Sequence, residues 1–335
     1  MSADLLNRAA VEVLRHYSRL LWSGAPRPLG NRGGFSGARL WRLDGLAGPL
    51  CLRAWPTAMS PSRLDFIHHY AIHARAADLA FVPRLFPSSG GATQVQYAGR
   101  LWELQEWLPG EADYHRRPSP AKLRAACSAL AELHACWQGA APKDAGPCPA
   151  VRRRLDAVRE WRELIASGWR PLSQAAAADP ARAAAESAWR VLPYWIEIIP
   201  DLLKPWTDRA WPLQPCLCDV WHDHVLFDGD RMTGLVDYGA MKIDHPAVDV
   251  ARLLGSFIGE DEDAEGWTTG LTAYRGVRPF TAEEEGLARA LDLSGTVIGA
   301  ATWLRWLYHE GREFEDRAAA GRRLESLTTR LERGR

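Results

Sequence analysis

The segment 216–254, CLCDVWHDHVLFDGDRMTGLVDYGAMKIDHPAVDVARLL, decides the fold of this chain. Within it, the apolar runs 225–227 and 233–236 flank an Asp-Gly-Asp turn at 228–230, and this pattern predicts a β-hairpin. Elsewhere beyond residue 110 the chain is rich in alanine and has mainly helical periodicity. The hairpin therefore interrupts a helical region, and it concentrates the residues whose side chains carry chemistry.

Three polar side chains flank the two strands of this hairpin. Asp219 and His224 lie just before the first strand, and Asp237 lies just after the second. Because hairpin pairing brings the two ends together, we expect two carboxylates and one imidazole to converge at one end of the sheet. Such a cluster suits metal binding combined with a general base. The alternative is that Asp219 and Asp237 only cap turns, and their joint placement around one hairpin argues against it.

The pattern along the rest of the chain predicts an antiparallel sheet followed by helices. In the first 108 residues we predict strands at 40–43, 50–55, 94–97 and 101–107, and helices at 4–22 and 61–80. After residue 108, apart from the strands of 215–240, we predict helices at 120–137, 149–167, 178–203, 247–258, 264–275, 281–310 and 314–333. This order predicts an α+β fold class.

Length and composition limit the functional classes. The chain has 335 residues, which favours one large bilobal unit or two domains, and 41 basic residues balance 41 acidic ones. Phosphate binding usually leaves a basic excess, so we expect no nucleic-acid partner. We also expect no membrane partner, because no run of about 18 apolar residues is present. Six scattered cysteines indicate reduced thiols and a cytoplasmic location.

The order of the polar residues resembles that of the aminoglycoside phosphotransferase and choline kinase family, relatives of the protein kinases. In that family a His-Gly-Asp motif, with Asn five residues after its Asp, precedes a hairpin and an Asp-Phe-Gly-like triplet. Asp219 matches the Asp of the motif, and His224 occupies the position of the Asn. The triplet Asp-Tyr-Gly at 237–239 begins 18 residues after Asp219, as the family spacing requires. The stretch from Asp244 to Asp249 resembles the Asp-Pro and Asp that follow.

The resemblance implies a bilobal protein kinase-like fold. A small N-terminal antiparallel β lobe, residues 1–108, would bind the nucleotide, and a larger, mainly helical C-terminal lobe, residues 109–335, would carry catalysis and the acceptor. The implied activity is ATP-dependent phosphorylation of a hydroxyl on a small molecule, with ATP or GTP and Mg²⁺ or Mn²⁺ as cofactors. The acceptor stays open, because the family uses the same catalytic parts for antibiotics, choline, sugars and amino alcohols.

The resemblance also implies roles for individual residues. Asp219 would be the catalytic residue that orients the acceptor hydroxyl and accepts its proton. Asp237 would hold the metal, with His224 as a second metal ligand or, if it does not ligate, a phosphate contact. The residues that would contact the nucleotide are Arg53 at its phosphates, Gly33, Gly34 and Gly37 in a glycine-rich loop, and Glu106 and Leu108 in the hinge segment Glu106-Trp107-Leu108-Pro109-Gly110.

Several positions depart from the family pattern and leave catalytic competence open. Leu217 and Cys218 replace the His-Gly of the motif. His224 replaces an amide ligand suited to Mg²⁺, and a neutral imidazole prefers softer metals such as Mn²⁺ or Zn²⁺. His68 or His69 lies where an acidic partner of the phosphate-binding arginine is expected.

Three other interpretations remain open. A pseudokinase would keep the fold as a nucleotide-binding module with impaired catalysis. A Cys₂His₂ zinc site would be formed by Cys216 and Cys218 with His222 and His224, although the short spacing between the two pairs makes tetrahedral coordination difficult. The doublet of His222 and Asp223 is similar to that of metal-dependent phosphohydrolases, which need further ligands that we cannot assign.

Overall fold

The computed structural model describes residues 3–30, 37–141, 144–171, 178–258, 264–314 and 316–334. The chain divides into two compact units. The first comprises Met1–Ala140 and Asp223–Gly239, and the second comprises Ala141–His222 and Ala240–Arg335. The hairpin therefore belongs to the unit formed by the N-terminal part of the chain. The lobe boundary that we expect at residue 108 stays a prediction.

The elements confirm an antiparallel N-terminal sheet followed by a mainly helical region. In the described residues the helices are α1 (Ala3–Leu14), α2 (Pro61–Ala76), α3 (Pro120–Ala140), α4 (Pro149–Ala166), α5 (Arg182–Leu203), α6 (Ala247–Ile258), α7 (Ala264–Arg275), α8 (Ala282–Tyr308) and α9 (Arg317–Arg333). The strands are β1 (Trp22–Gly30), β2 (Arg39–Gly45), β3 (Leu50–Ala54), β4 (Leu85–Phe86), β5 (Val95–Tyr97), β6 (Arg100–Glu106), β7 (Asp144–Pro147), β8 (Ala210–Cys216), β9 (Val225–Asp228), β10 (Arg231–Leu235) and β11 (Lys242–Asp244).

The sheet of the first unit separates an apolar face from a polar one. Its strands are ordered β1-β2-β3-β6-β4, with β5 also paired to β6, and all pairs are antiparallel. Successive side chains of a strand point to opposite faces. Leu52 of β3 and Leu104 of β6 belong to the core cluster that includes residues of α1. Their neighbours Arg53 and Glu103 therefore project from the opposite face, and this alternation positions the candidate site.

The helix that we predict at 4–22 is too long, and the strand after it was not predicted. Helix α1 ends at Leu14, and β1 follows as the edge strand of the sheet. This strand is difficult to recognise in the sequence, because it contains Gly24, Pro26 and Pro28. Proline cannot donate to a ladder and is confined to edges and bulges. The pairing of β1 with β2 is indeed irregular at two points along its register.

The predicted hairpin is confirmed as the antiparallel pair β9–β10. It packs against the segment that follows β6, where Glu111 and Phe227 exchange backbone hydrogen bonds of 2.9 Å. Gly110 has a φ of +96°, and a Cβ there would lie 2.7 Å from the Phe227 carbonyl oxygen. Glycine at this position therefore allows the close approach that attaches the hairpin to the first unit.

The second unit combines helices α4 to α9 with the three-stranded sheet β11-β8-β7. Helix α8 begins with a capping box, in which the Thr281 hydroxyl accepts from the Glu284 amide and the Glu284 carboxylate accepts from the Thr281 amide. Helix α6 begins three residues after β11, so its first turn is fixed close to the end of the sheet. No helix in the described ranges is long and apolar enough to cross a membrane.

Candidate active site

Arg53 and Glu103 form a buried ion pair on the polar face of the sheet. They are direct cross-strand neighbours in the β3–β6 ladder, and Arg53 Nε lies 3.6 Å from Glu103 Oε1. The other carboxylate oxygen of Glu103 accepts from Trp55 Nε1 at 2.8 Å and from His68 Nε2 at 2.7 Å. His68 Nδ1 lies 2.8 Å from the Thr93 hydroxyl. Helix α2 thus covers the pair through His68, which is itself buried.

The electrostatics of this group explain why a carboxylate is stable there with only 2% of its surface exposed. Burial alone would raise the pKa of Glu103, but the hydrogen bond and charge of His68 and the charge of Arg53 outweigh it and lower the pKa. Burial works to lower the pKa of Arg53, whereas the charges of Glu103 and then Asp237 raise it above its usual value. The two groups therefore keep each other ionised.

The end of the hairpin brings Asp237 to this ion pair. Asp237 Oδ1 lies 3.9 Å from Arg53 Nη1, and Asp237 Oδ2 lies 3.6 Å from His224 Nε2. The Val236 amide donates to the His224 carbonyl at 2.9 Å, so the hairpin backbone fixes the two side chains next to each other. The predicted residues Arg53, His224 and Asp237 are thus brought together within the first unit. Asp219 belongs to the second unit, and its place in the same site stays a prediction.

The backbone at Asp237 is in an uncommon conformation. Its φ is +66°, in the left-handed region that non-glycine residues rarely adopt and that clusters at functional sites. The next two residues are fixed in place: Tyr238 is buried, and the Gly239 carbonyl accepts from Arg63 Nη2 at 3.1 Å. A Cβ on Gly239 would lie 3.1 Å from the Trp55 ring. The triplet therefore packs tightly against the sheet, with the Asp237 carboxylate half-exposed.

The donor set of this group fits a metal–nucleotide ligand. Arg53, Glu103 and Asp237 line one recess of the first unit. Arg53 Nε is buried beside Glu103 and makes no hydrogen bond with any described residue, whereas Nη1 faces the half-exposed Asp237. A guanidinium fork suits phosphate oxygens. A carboxylate and an imidazole whose nearest atoms are 3.6 Å apart offer two ligand atoms to a divalent cation.

Asp219 lies in a loop of the second unit that is held by a buried carboxylate. The amides of Leu217 and Cys218 both donate to the Asp249 carboxylate at 2.6 Å, from the first turn of α6. Asp219 Oδ1 itself accepts a hydrogen bond from Arg252 Nε at 3.0 Å, and Arg252 Nη2 lies 2.9 Å from the same oxygen. The loop that would present the catalytic carboxylate is therefore anchored through its backbone, and that carboxylate is paired with a guanidinium.

Cys218 occupies the position where the family motif has glycine, and its φ is +62°. We expect Cys218→Gly to raise the free energy of unfolding by about 0.5–1 kcal/mol, because relief of the left-handed conformation outweighs the entropy of glycine in the unfolded chain. Urea unfolding measures the change. Cys218→Ala is the matched control, since it retains a Cβ and should bring no gain. A glycine variant less stable than the alanine variant would show that Cys218 carries no strain.

The other predicted nucleotide contacts lie along the first unit. Gly33 and Gly34 lie outside the described residues, and Gly37 has a φ of +79° just before β2. Glu106 ends β6; its side chain pairs with Arg75 at 3.1 Å, and its amide donates to the Arg84 carbonyl at 2.8 Å. Leu108 is buried against Gly234 of the hairpin. Their roles in nucleotide binding stay predictions.

Glu103 is the residue of this group that the sequence did not reveal. We expected the acidic partner of Arg53 on helix α2, but it comes from β6, and the helix contributes His68, which contacts that acid instead. The alternation in Leu101–Glu106 gives Glu103 a definite face. The alternation does not predict that β6 pairs with β3, and only that pairing places Glu103 opposite Arg53.

The family model described as "Phosphotransferase enzyme family" matches residues 29–285, more than half of the chain. The chain belongs to this family. The resemblance to aminoglycoside phosphotransferases and choline kinases is thereby confirmed. Homoserine kinase of Sinorhizobium fredii is 28% identical over 230 residues, which cover 67% of this chain and 61% of that protein. The chain thus matches less than two thirds of the length of that relative.

Solved structures of phosphotransferases share the fold. Spectinomycin phosphotransferase, crystallised with ADP and spectinomycin, gives a TM-score of 0.70 at 10% identity, and the match covers 99% of this chain and 98% of that one. A choline/ethanolamine kinase family protein from Mesorhizobium loti gives 0.58 at 16% identity, covering 98% and 94%. At such identities the likeness establishes the protein kinase-like fold of this family member and nothing about its acceptor.

The zinc-site and phosphohydrolase interpretations find no support in these comparisons. Burial, with a further contribution from Asp249, raises the pKa of the thiols of Cys216 and Cys218, whereas zinc binds thiolates. The Cys216 thiol donates to the carbonyls of Gln214 and Asp244, as a small buried side chain does. The His222 ring packs against Trp221 at a tilt of 45°, with 4.6 Å between ring centroids.

Proposed function

We propose that this member of the phosphotransferase family transfers the γ-phosphoryl group of ATP to a hydroxyl of a small molecule. The observation that carries the proposal is the buried Arg53–Glu103 pair with Asp237 at its open end. Phosphoryl transfer requires positioning and charge neutralisation more than covalent chemistry by the protein. A guanidinium that is fixed in a recess, beside a half-exposed carboxylate, meets that requirement for a triphosphate and its cation.

Each residue of the group has a role in this proposal. Arg53 binds phosphate oxygens through donors that Glu103 orients from the neighbouring strand. Asp237 and His224 hold a divalent cation, Mg²⁺ or Mn²⁺, which when bound neutralises charge on the phosphates. Asp219 orients the acceptor hydroxyl and accepts its proton. In the structure, Asp219 Oδ1 already accepts a hydrogen bond from Arg252 Nε.

The names of the relatives indicate which acceptors to test first. Those relatives are named for homoserine, for spectinomycin and for choline or ethanolamine, which are all small molecules with a hydroxyl group. The protein should be incubated with ATP, either Mg²⁺ or Mn²⁺, and each of these acceptors. We expect mass spectrometry to find one of them with an added phosphoryl group, and a higher rate with Mn²⁺, because His224 replaces a hard amide ligand.

The same experiment separates catalysis from binding alone. A thermal shift with ATP and metal, but no phosphorylated product from any acceptor and no loss of ATP, would contradict the proposed transfer and favour a nucleotide-binding module. A protein that neither binds ATP nor consumes it would contradict the nucleotide site itself. As a control, Asp228→Asn changes an exposed carboxylate in the same hairpin and should leave both readouts unchanged.

A further inference from the structure

Helix α2 reaches the ion pair of the candidate site through one buried imidazole. His68 Nε2 lies 2.7 Å from Glu103 Oε2, and His68 Nδ1 lies 2.8 Å from the Thr93 hydroxyl. The pKa of Glu103 is lowered, so its carboxylate is ionised and has no hydrogen to donate. The hydrogen of the 2.7 Å contact therefore belongs to His68 Nε2, which donates to Glu103. All of these residues belong to the first unit.

The Thr93 hydroxyl fixes the other side of the ring. A hydroxyl donates to Nδ1 of a neutral imidazole and accepts from Nδ1 of a charged one, so this contact persists in both charge states of His68. The ring has a partner at each nitrogen and only 3% of the residue's surface is exposed. Its Nε2 donor is therefore held at Glu103 whatever the charge of the ring.

The two side-chain donors to Glu103 meet on one of its oxygens. Trp55 Nε1 and His68 Nε2 both contact Oε2, whereas Oε1 faces Arg53 Nε at 3.6 Å. That separation allows attraction between the charges but exceeds the length of an N–H···O hydrogen bond. Arg53 Nε accordingly makes no hydrogen bond with any described residue. Glu103 therefore attracts the guanidinium without forming the bidentate pair that is common between these groups.

We propose that His68 is a positioning residue for the phosphates of the nucleotide, because it holds Glu103 back from a bidentate pair with Arg53. The proposal rests on the proposed function and deepens it, since it names the residue that keeps the phosphate-binding guanidinium available. Without His68, Oε2 loses one of its two donors, and the carboxylate can rotate to accept two hydrogen bonds from Arg53. A phosphate would then have to displace Glu103 before it could bind.

Matched ligands separate this role from a general effect on the fold. Adenosine and a non-hydrolysable ATP analogue share the nucleoside, and only the analogue has phosphates. By titration calorimetry with Mg²⁺ present, His68→Leu should bind the analogue about 10-fold more weakly than the wild type does and should bind adenosine equally well. His68→Gln should restore most of the affinity for the analogue, because its amide places a donor near the position of Nε2.

His69→Leu is the matched control, because His69 is the next residue of the same helix and is exposed. It should bind both ligands as the wild type does. Equal affinity of the wild type and His68→Leu for the analogue would overturn the proposal. An equal loss of affinity for adenosine and the analogue would also overturn it, since a merely structural role of His68 predicts that result.

A double-variant cycle shows whether His68 acts through Glu103. Glu103→Gln keeps the shape of the side chain but lacks the charge that would capture the guanidinium of Arg53. In that background His68→Leu should have little further effect on the affinity for the analogue. The same loss of affinity in both backgrounds would overturn the proposal.

Crystal structures without nucleotide keep the proposal testable if the wild type does not bind the analogue, an outcome that would count against the proposed function instead. In His68→Leu we expect both carboxylate oxygens of Glu103 within about 3.2 Å of guanidinium nitrogens of Arg53. A separation that stays at the 3.6 Å of the wild type would overturn the proposal.

Thr93→Val provides the test if His68→Leu does not fold. It removes only the hydroxyl that orients the His68 ring and replaces it with a methyl group of similar size. We expect it to weaken binding of the analogue by about 3- to 5-fold and to leave adenosine binding unchanged. Unchanged binding of the analogue by Thr93→Val would then overturn the proposal.

Discussion

Asp237→Asn should lower the rate of phosphoryl transfer by about 1,000-fold or more, because it removes the charge that in the proposed site would hold the cation at the phosphates. Asparagine suits the test better than alanine, since it tolerates the left-handed backbone conformation that Asp237 adopts at φ +66°. The fold should therefore stay intact. Initial rates at saturating ATP measure the loss, and circular dichroism during heating measures the stability.

The exposed Asp228 of the same hairpin provides the control for this prediction. Asp228→Asn removes the same charge at a distance from Arg53 and His224, and should keep nearly the full rate. Full activity in Asp237→Asn would show that the carboxylate beside Arg53 has no part in the transfer. An unfolded Asp237→Asn would contradict the expectation that the charge serves function rather than stability.

The second large effect concerns stability. Glu103→Ala should lower the free energy of unfolding by about 3–5 kcal/mol, because it leaves the buried guanidinium of Arg53 without its nearest counter-charge. It also removes the acceptor of the hydrogen bonds from Trp55 and His68. Urea unfolding measures the loss. Asp44→Asn breaks an exposed ion pair with Arg27 on the same sheet, and should cost less than about 1 kcal/mol.

A double variant separates stability from function at this pair. Replacing a buried ion pair by apolar residues of similar size is often close to neutral, so Arg53→Met with Glu103→Leu should recover part of the lost stability, although Trp55 and His68 stay without their acceptor. It should not recover phosphoryl transfer, because it lacks the guanidinium that we propose binds the phosphates. A Glu103→Ala variant as stable as Asp44→Asn would show that the buried ion pair does not stabilise the fold. Phosphoryl transfer by the double variant would show that Arg53 is not part of the nucleotide site.

Much of the fold could be predicted from local patterns. The hairpin β9–β10 has a turn between two short strand-like runs, and helices α6 and α7 have the predicted bounds of 247–258 and 264–275. Strand β1 could not be predicted, because its glycine and prolines resemble a loop and are tolerated only at the edge of a sheet.

The part of the candidate site that one hairpin builds could be predicted from the sequence. His224 and Asp237 meet because one hairpin joins them, and sequence spacing is enough to show this. Glu103 depends on the pairing of two strands that are about fifty residues apart, and Arg252 depends on where α6 lies relative to the loop of Asp219. Such tertiary pairings leave no periodic pattern in the sequence, so both partners had to come from the structure.

The central claim is that Arg53, His224 and Asp237 form the nucleotide–metal site. A crystal structure with a non-hydrolysable ATP analogue and Mn²⁺ tests it most directly, because manganese is located by its anomalous scattering. We predict an anomalous peak within ligand distance of Asp237 and His224, with phosphate oxygens at the guanidinium of Arg53. Manganese and nucleotide bound elsewhere, or a triphosphate that makes no contact with Arg53, would contradict the claim.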